Sequence, residues 1–268
     1  MVFDLGSFNY RPDTIKRSLD QYVYGQEEVK RTLSVAFWQH YSRLKRKAES
    51  PQDPLISVNK PNVFLVGNTG TGKTYITSRI CKLLEVAHLY VDCTDYSETG
   101  FTGKDVEGIP EQLYRAAGKN KQQAELAVIH LDEIDKKAAT LDKNDDVSRG
   151  GVQAGFLTLI EGKKVQVSEK IIVDTTNVLF IASGAFEGMD LIVRKRLSTL
   201  GIGATPYTPD SLRVMSPTIK DLEKYGMSGQ LLGRFPNFVY ADSLSSNDLC
   251  GILHLEKNPL IPDLVSDF

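Results

Sequence analysis

The first fifty residues carry apolar positions at the spacing of an α-helix. One face of a long run repeats close to every 3.6 residues, and the opposite face is charged. The apolar residues of that face are Val29, Leu33, Ala36, Phe37 and Leu44. A shorter helical pattern over residues 14–20 precedes the run, and Pro12 marks its start. A charged stretch at residues 43–49 and a loop at 50–54 predict that the helical segment ends there.

Beyond residue 60 the pattern changes to short apolar runs that alternate with helical patterns. The runs predicted as strands are residues 62–66, 88–91, 127–131 and 178–182. The helices predicted between them are residues 73–84, 106–117 and 153–160. Residues 163–167 and 170–173 are spaced to pair as a hairpin. This alternation predicts an α/β fold, with a parallel sheet covered by helices on both faces.

A glycine-rich segment joins the first predicted strand to the helix after it. It reads Gly67-Asn68-Thr69-Gly70-Thr71-Gly72-Lys73-Thr74, with Tyr75 next, and it fits G-x-x-x-x-G-K-[ST] at every fixed position. Its glycines let backbone N–H groups turn toward an anion, and the helix N-terminus adds partial positive charge. We expect Lys73 to reach the β- and γ-phosphates and Thr74 to bind Mg²⁺. The segment therefore predicts a site for ATP with Mg²⁺.

The third predicted strand ends in two adjacent carboxylates, Asp132 and Glu133. After a phosphate loop, such a strand is typical of an ATPase, where Asp132 would hold Mg²⁺ and Glu133 would deprotonate the attacking water. The alternative is a buried strand that happens to end in an acidic helix cap. His130, in the middle of the strand, is interpreted as a packed core histidine.

Further segments extend this pattern in both directions. They are Asp20-Gln21-Tyr22-Val23-Tyr24-Gly25-Gln26, Leu131-Asp132-Glu133-Ile134-Asp135-Lys136, Leu179-Phe180-Ile181-Ala182-Ser183-Gly184-Ala185-Phe186 and Gly233-Arg234. In this order, over residues 20–249, they resemble the AAA+ unfoldases of the ClpX/HslU family. The resemblance implies a AAA+ P-loop large domain, a hexameric ring of identical subunits, and ATP-driven threading of polypeptide through its pore. It also implies that Val23 and Tyr24 belong to the adenine pocket.

A polar loop after the second strand contains an aromatic side chain, in Gly100-Phe101-Thr102-Gly103. The resemblance implies that this is a pore loop, in which Phe101 grips polypeptide by apolar contact. The alternative is a phenylalanine that folds back onto its own domain.

Two further polar residues have alternative roles. The resemblance implies that Arg234 is an arginine finger, which stabilises charge on the γ-phosphate held by a neighbouring subunit. The alternative for Arg234 is a salt bridge within the subunit. Ser183, at the end of the fourth strand, either positions the attacking water or caps the strand.

Composition narrows the class of partner. The 32 Lys and Arg residues against 34 Asp and Glu residues give a formal net charge of -2, which argues against a nucleic-acid partner. The three cysteines and four histidines are scattered, so no zinc-binding domain is expected. Because no apolar run approaches the length of a membrane span, we expect a cytoplasmic protein without a membrane partner.

Departures from the family pattern leave the function with alternatives. Residues 201–205 lack the aromatic of the loop that ClpX inserts into its protease, which argues against a ClpP-type partner. We expect a AAA+ large domain over residues 1–256, with N-terminal helices over 1–60 and a P-loop core over 61–256. Residues 257–268 are then a tail where the family's helical lid would begin. The alternative to a threading motor is a AAA+ nucleotide switch or assembly factor; a DNA-directed AAA+ protein is a third class.

Overall fold

The computed structural model describes residues 3–53, 59–97, 104–138, 146–199 and 217–255. Within these ranges the helices are α1 (Pro12–Asp20), α2 (Glu27–Glu49), α3 (Lys73–Leu84), α4 (Ile109–Ala116), α5 (Lys121–Glu125), α6 (Asp146–Glu161), α7 (Met189–Thr199), α8 (Ile219–Tyr225), α9 (Gly229–Leu232) and α10 (Ser246–Leu253). The strands are β1 (Val63–Val66), β2 (His88–Asp92), β3 (Val128–Asp132), β4 (Lys164–Ser168), β5 (Ile171–Asp174), β6 (Leu179–Gly184) and β7 (Asn237–Tyr240).

Five strands form one parallel sheet in the order β2-β3-β6-β1-β7. In the centre, Val63 of β1 lies opposite both Ile181 of β6 and Asn237 of β7. Because the strands are parallel, the residues that follow their carboxyl ends meet along one edge, which is where open α/β sheets bind ligands. β4 and β5 pair separately as an antiparallel hairpin, as the sequence predicts.

Alternate strand residues point into two separate apolar cores, one on each face of the sheet. On one face Phe64, Ile129 and Phe180 pack with the helices α4, α6 and α7. On the other face Leu65, Val128 and Ile181 pack with α1, α2 and α3. The predicted α/β class, with a parallel sheet flanked by helices, is confirmed.

The observed elements differ from the predicted ones at several boundaries. Val106–Gly108 forms a 3₁₀ turn, so the helix predicted over 106–117 begins at Ile109, with Pro110 in its first turn. α2 continues to Glu49 through the charged stretch, because its apolar face already anchors it. The helix predicted from residue 153 begins at Asp146. The sequence reasoning did not include α5, α7, α8, α9 or the edge strand β7.

Candidate nucleotide site

The predicted phosphate loop leaves the carboxyl end of β1 and enters α3. Gly70 has φ +82° and Gly72 has φ +87°, a backbone region in which a side chain would be strained. This turn lies beside a cavity of about 450 Å³, which is also bordered by Asp132, Glu133 and Gly184. The loop, the end of β3 and the end of β6 therefore surround one space at the carboxyl edge of the sheet.

Lys73, the first residue of α3, lies folded beneath the loop. Its Nζ donates to the Gly67 carbonyl at 2.6 Å and to the Asn68 carbonyl at 2.9 Å. Burial lowers the pKa of the Lys73 amine, and the nearby carboxylate of Asp132 opposes that shift. The lysine is thus held at the base of the loop by carbonyl oxygens, from which it can turn toward a phosphate.

Asp132, the last residue of β3, lies next to Thr74, the second residue of α3. The Thr74 hydroxyl donates to Asp132 Oδ2 at 2.8 Å. Burial raises the pKa of Asp132, but hydrogen bonds from Ser183 and Thr74 outweigh it and hold the pKa below its ordinary value. A hydroxyl and an ionised carboxylate are the hard oxygen donors that Mg²⁺ prefers, usually together with phosphate and water. The two predicted metal-binding residues are therefore adjacent, and their chemistry fits Mg²⁺.

Glu133 follows Asp132 and is exposed on the cavity wall. Its backbone has φ 54°, which is uncommon for a residue with a side chain, and its N–H donates to Asp132 Oδ1 at 3.0 Å. The turn separates the two carboxylates, since Asp132 points to Thr74 while Glu133 borders open space. A carboxylate in that position can accept a proton from a water molecule in the cavity.

Ser183, on β6, is fully buried and faces Asp132 rather than the cavity. Its hydroxyl donates to Asp132 Oδ1, and its oxygen lies 2.7 Å from His130 Nε2. Burial lowers the pKa of His130 to about 4. His130 thus lies in the core, as the sequence suggests, and the polar side chains at this strand end form a network that motif reasoning did not include.

The segment with Val23 and Tyr24, predicted to lie at the adenine, packs close to the phosphate loop. Gln26 pairs with the backbone of Asp242 through bonds of 2.7 and 3.0 Å, and Asn68 bonds to Ser243 at 3.0 Å. Both segments therefore dock on the same stretch after β7. Val23 is buried, whereas Tyr24 is exposed and rests against Gly251 of α10.

A stack of three side chains also connects the segment that contains Val23 and Tyr24 to the helix that follows the phosphate loop. The Arg79 guanidinium lies 4.5 Å from the Tyr22 ring centre and 4.9 Å from the Tyr75 ring centre. Tyr75 is 38% exposed next to the cavity. Arg79 is one helical turn beyond Tyr75, so an i, i+4 pattern is the only sequence signal for this contact.

Arg234 lies at the opposite edge of the sheet from the phosphate loop. It precedes β7, and its carbonyl accepts a hydrogen bond of 2.9 Å from Asn62, which precedes β1. The phosphate loop begins where β1 ends, about 13 Å away for four strand residues. The Arg234 Nε and Nη2 groups both donate to a single oxygen of Glu161, Oε1, at 2.9 and 2.5 Å. The salt bridge considered as an alternative for Arg234 is therefore present.

A family comparison bears directly on this arrangement. Residues 59–238, which contain the phosphate loop, both carboxylates and Arg234, match the family model of the AAA domain (Cdc48 subfamily). The chain belongs to the AAA domain family.

Individual relatives of this AAA domain carry a more specific name. The chain is 38% identical over 278 positions to the ATP-dependent Clp protease ATP-binding subunit ClpX of Bacteroides thetaiotaomicron. It is 37% identical over 270 positions to that of Porphyromonas gingivalis and 36% identical over 276 positions to that of Treponema denticola. These matches cover 93–96% of the chain and 64–66% of each relative. The chain is ClpX-like, and it spans just under two thirds of the length of these relatives.

Some predicted positions of this AAA domain lie outside the described residues. They are Gly100, Phe101, Thr102 and Gly103 of the predicted pore loop, residues 201–205 and the tail at 257–268. Within the described ranges no helix is long and apolar enough to cross a membrane. Those same ranges contain no group of three or more His, Cys, Asp or Glu side chains arranged to hold a metal. Phosphate and water would therefore complete the coordination of an ion at Thr74 and Asp132.

Proposed function

We propose that this AAA domain belongs to an ATP-driven ring that unfolds or remodels polypeptides by threading them through its pore. The observation that carries the proposal is the position of Arg234, at the sheet edge opposite its own phosphate loop. The arginine cannot contact the nucleotide of its own subunit from there. It can serve a nucleotide only in a head-to-tail assembly, which forms a ring when the rotation between neighbours closes.

Within one subunit, the residues at the carboxyl edge would bind and hydrolyse ATP. Backbone N–H groups of the loop hold the phosphates, and Lys73 turns from its carbonyl partners to add a positive charge. Thr74 and Asp132 would hold Mg²⁺, which supplies charge neutralisation for the phosphates. Glu133 orients the attacking water and accepts its proton. Val23 and Tyr24 contact the adenine.

The assembly and its substrate rest on the relatives and on the sequence. The ClpX proteins of the comparison are described as ATP-binding subunits of an ATP-dependent protease. A hexamer around a pore, with Phe101 of each subunit gripping polypeptide, fits the sequence of the loop at residues 100–103. Residues 201–205 lack the docking aromatic, so a ClpP-type protease is not part of the proposal.

The experiment that tests this function measures ATP hydrolysis by the assembled protein with an unfolded polypeptide, with duplex DNA and with neither. We expect the polypeptide to raise the rate and DNA to leave it unchanged. Phe101→Ala is expected to remove the stimulation and to leave the basal rate intact. Ile172→Ala, which truncates an exposed apolar side chain of the β4–β5 hairpin, serves as the control. A ring that hydrolyses ATP briskly but responds to no polypeptide is instead a nucleotide switch.

A further inference from the structure

A chain of hydrogen bonds runs from the interior of the sheet to the Asp132 carboxylate. His130 Nε2 lies 2.7 Å from the Ser183 hydroxyl oxygen, and that hydroxyl donates to Asp132 Oδ1. His130 and Ser183 are both fully buried. The register explains the alignment, because His130 and Asp132 share one face of β3 and His130 lies opposite Ile181, two residues before Ser183 on β6.

The donors and acceptors of this chain can be assigned. An ionised carboxylate only accepts, so the single proton of the Ser183 hydroxyl is used on Asp132. The serine oxygen must then accept from His130, which fixes the histidine proton on Nε2. His130 Nδ1 has no hydrogen-bond partner among the described residues. The histidine is therefore ordered as a donor toward the site.

This chain leaves the two oxygens of Asp132 with different surroundings. Oδ1 accepts from the Ser183 hydroxyl and from the Glu133 backbone N–H. Oδ2 accepts from Thr74 at 2.8 Å and from the half-exposed Tyr90 hydroxyl at 3.3 Å. Because Ser183 is itself fully buried, its bond to Oδ1 resists rotation of the carboxylate and keeps Oδ2 directed at Thr74.

We propose that His130 and Ser183 are positioning residues that hold Asp132 in the orientation required for magnesium binding. This inference rests on the proposed function, because Thr74 and Asp132 are the residues that would hold the ion. Neither His130 nor Ser183 contacts the nucleotide. Partners that orient a metal ligand in this way commonly change metal affinity 10- to 100-fold when they are removed.

The test titrates Mg²⁺ into the full chain in the presence of a fluorescent ATP analogue. Ser183→Ala and His130→Leu are expected to raise the Mg²⁺ concentration for half-maximal binding by at least about tenfold. Affinity for the analogue in EDTA is expected to stay at the wild-type value, because the phosphate loop is unchanged. His130→Gln retains an N–H donor at a similar reach and is expected to recover part of the loss. Tyr90→Phe, at the exposed oxygen, is expected to have a smaller effect than Ser183→Ala.

Two matched controls separate positioning from general loss of packing. Ser34→Ala removes another buried serine hydroxyl, one without a hydrogen-bond partner among the described residues, and Tyr96→Phe removes a hydroxyl that bonds to Gln112. Both are expected to show wild-type Mg²⁺ dependence. If Ser183→Ala matches Ser34→Ala while wild type binds the analogue in a Mg²⁺-dependent manner, the positioning role is wrong and the ATP site stands. If wild type fails to bind the analogue at all, both proposals fail.

Discussion

At the scale of single residues, the phosphate loop is preorganised by its own lysine. Lys73 Nζ donates to two carbonyls of the loop, which hold its charge beside the space where we expect an anion to bind. The motif alone predicted this residue, because its spacing fixes both the loop and the start of α3. The hydrogen bonds of the Lys73 side chain, in contrast, depend on the three-dimensional path of the loop.

Replacing Lys73 by alanine should weaken ATP binding about 100-fold, because a hydrogen bond from a charged group is worth about 1.5–3 kcal/mol and the loop loses its cation. Lys82→Ala, at the exposed end of the same helix, is the matched control. Calorimetric titration with ATP measures both. Equal affinities for Lys73→Ala and Lys82→Ala would contradict the assignment.

Glu133→Gln should leave ATP binding intact and reduce hydrolysis at least about 100-fold, since it removes a base and keeps its shape. Glu187 borders the same cavity and is also exposed, so Glu187→Gln makes the same change of charge in the same space. Its hydrolysis rate is expected to stay within a few-fold of wild type. Similar losses in the two variants, measured by phosphate release, would mean that charge rather than proton transfer explains the effect.

Several contacts between the residues of the site could not be predicted from the sequence, for a physical reason. Glu161 and Arg234 are 73 positions apart, and Ser183 and Asp132 are 51 apart. Such pairs form only because parallel strands bring distant segments together, and a single sequence carries no signal for the register. The exposed ion pair of Arg234 is also worth little energy, about 0–1 kcal/mol, so it leaves no pattern in the chain.

At the scale of elements, a buried lysine joins α1, α2 and the loop that contains Val23. Lys30 Nζ lies 2.6 Å from Asp20 and 2.6 Å from Glu27, and it donates to the Val23 carbonyl at 3.3 Å. Its side chain is 3% exposed. The lysine therefore fixes the segment that we propose to contact the adenine.

Lys30→Met should destabilise the fold by about 1–3 kcal/mol at pH 7, because two carboxylates lose a charged partner. For Asp20, burial raises the pKa, but hydrogen bonds from Lys30 and Lys16 outweigh it; for Glu27, bonds from Lys16 and Lys30 lower the pKa. The folded-state pKa values of Asp20 and Glu27 thus lie below their ordinary values of 3.8 and 4.5. The stability that the two carboxylates contribute is therefore fully present above the ordinary pKa values, and it is lost as the pH falls through the folded-state pKa values. The difference in the free energy of unfolding between wild type and Lys30→Met should therefore narrow below about pH 4.

Urea unfolding at several pH values measures this gap. Arg31→Met is the neighbouring control, since Arg31 forms an exposed pair with Glu28 and its loss should cost less than about 0.5 kcal/mol. A gap for Lys30→Met that does not change with pH would show that packing, rather than the ion pairs, is lost.

Whether a helix or strand could be predicted from the sequence depended on its length and, for a strand, on its position in the sheet. The central strands were found because they are continuous apolar runs buried on both faces. β7 was missed because Asn237–Tyr240 has only four residues, lies at the sheet edge and is partly polar. α8 and α9 are also short, and tertiary contacts with α6 and α7 rather than periodicity define them.

At the scale of the whole molecule, the proposed function places the two halves of a shared site at opposite ends of the strands of one subunit. The phosphate loop, Asp132 and Glu133 are at the carboxyl edge, and Arg234 is at the amino edge beside Glu161. The Arg234–Glu161 bond holds the arginine at the surface, where its side chain is half exposed. Ring closure would exchange this partner for a neighbour's phosphate, and an exposed ion pair offers little resistance to that exchange.

The most direct measurement mixes two inactive variants, Arg234→Ala and Glu133→Gln, and follows ATP hydrolysis across mixing ratios. Each Arg234→Ala subunit keeps a complete phosphate site, and a Glu133→Gln neighbour can supply its missing arginine. Since each site is shared by two neighbours, we expect an equal mixture to recover about a quarter of the wild-type rate. Sedimentation must show that both variants assemble as wild type does. If they assemble and no ratio restores hydrolysis, Arg234 does not act across the interface and the account of a shared site is wrong.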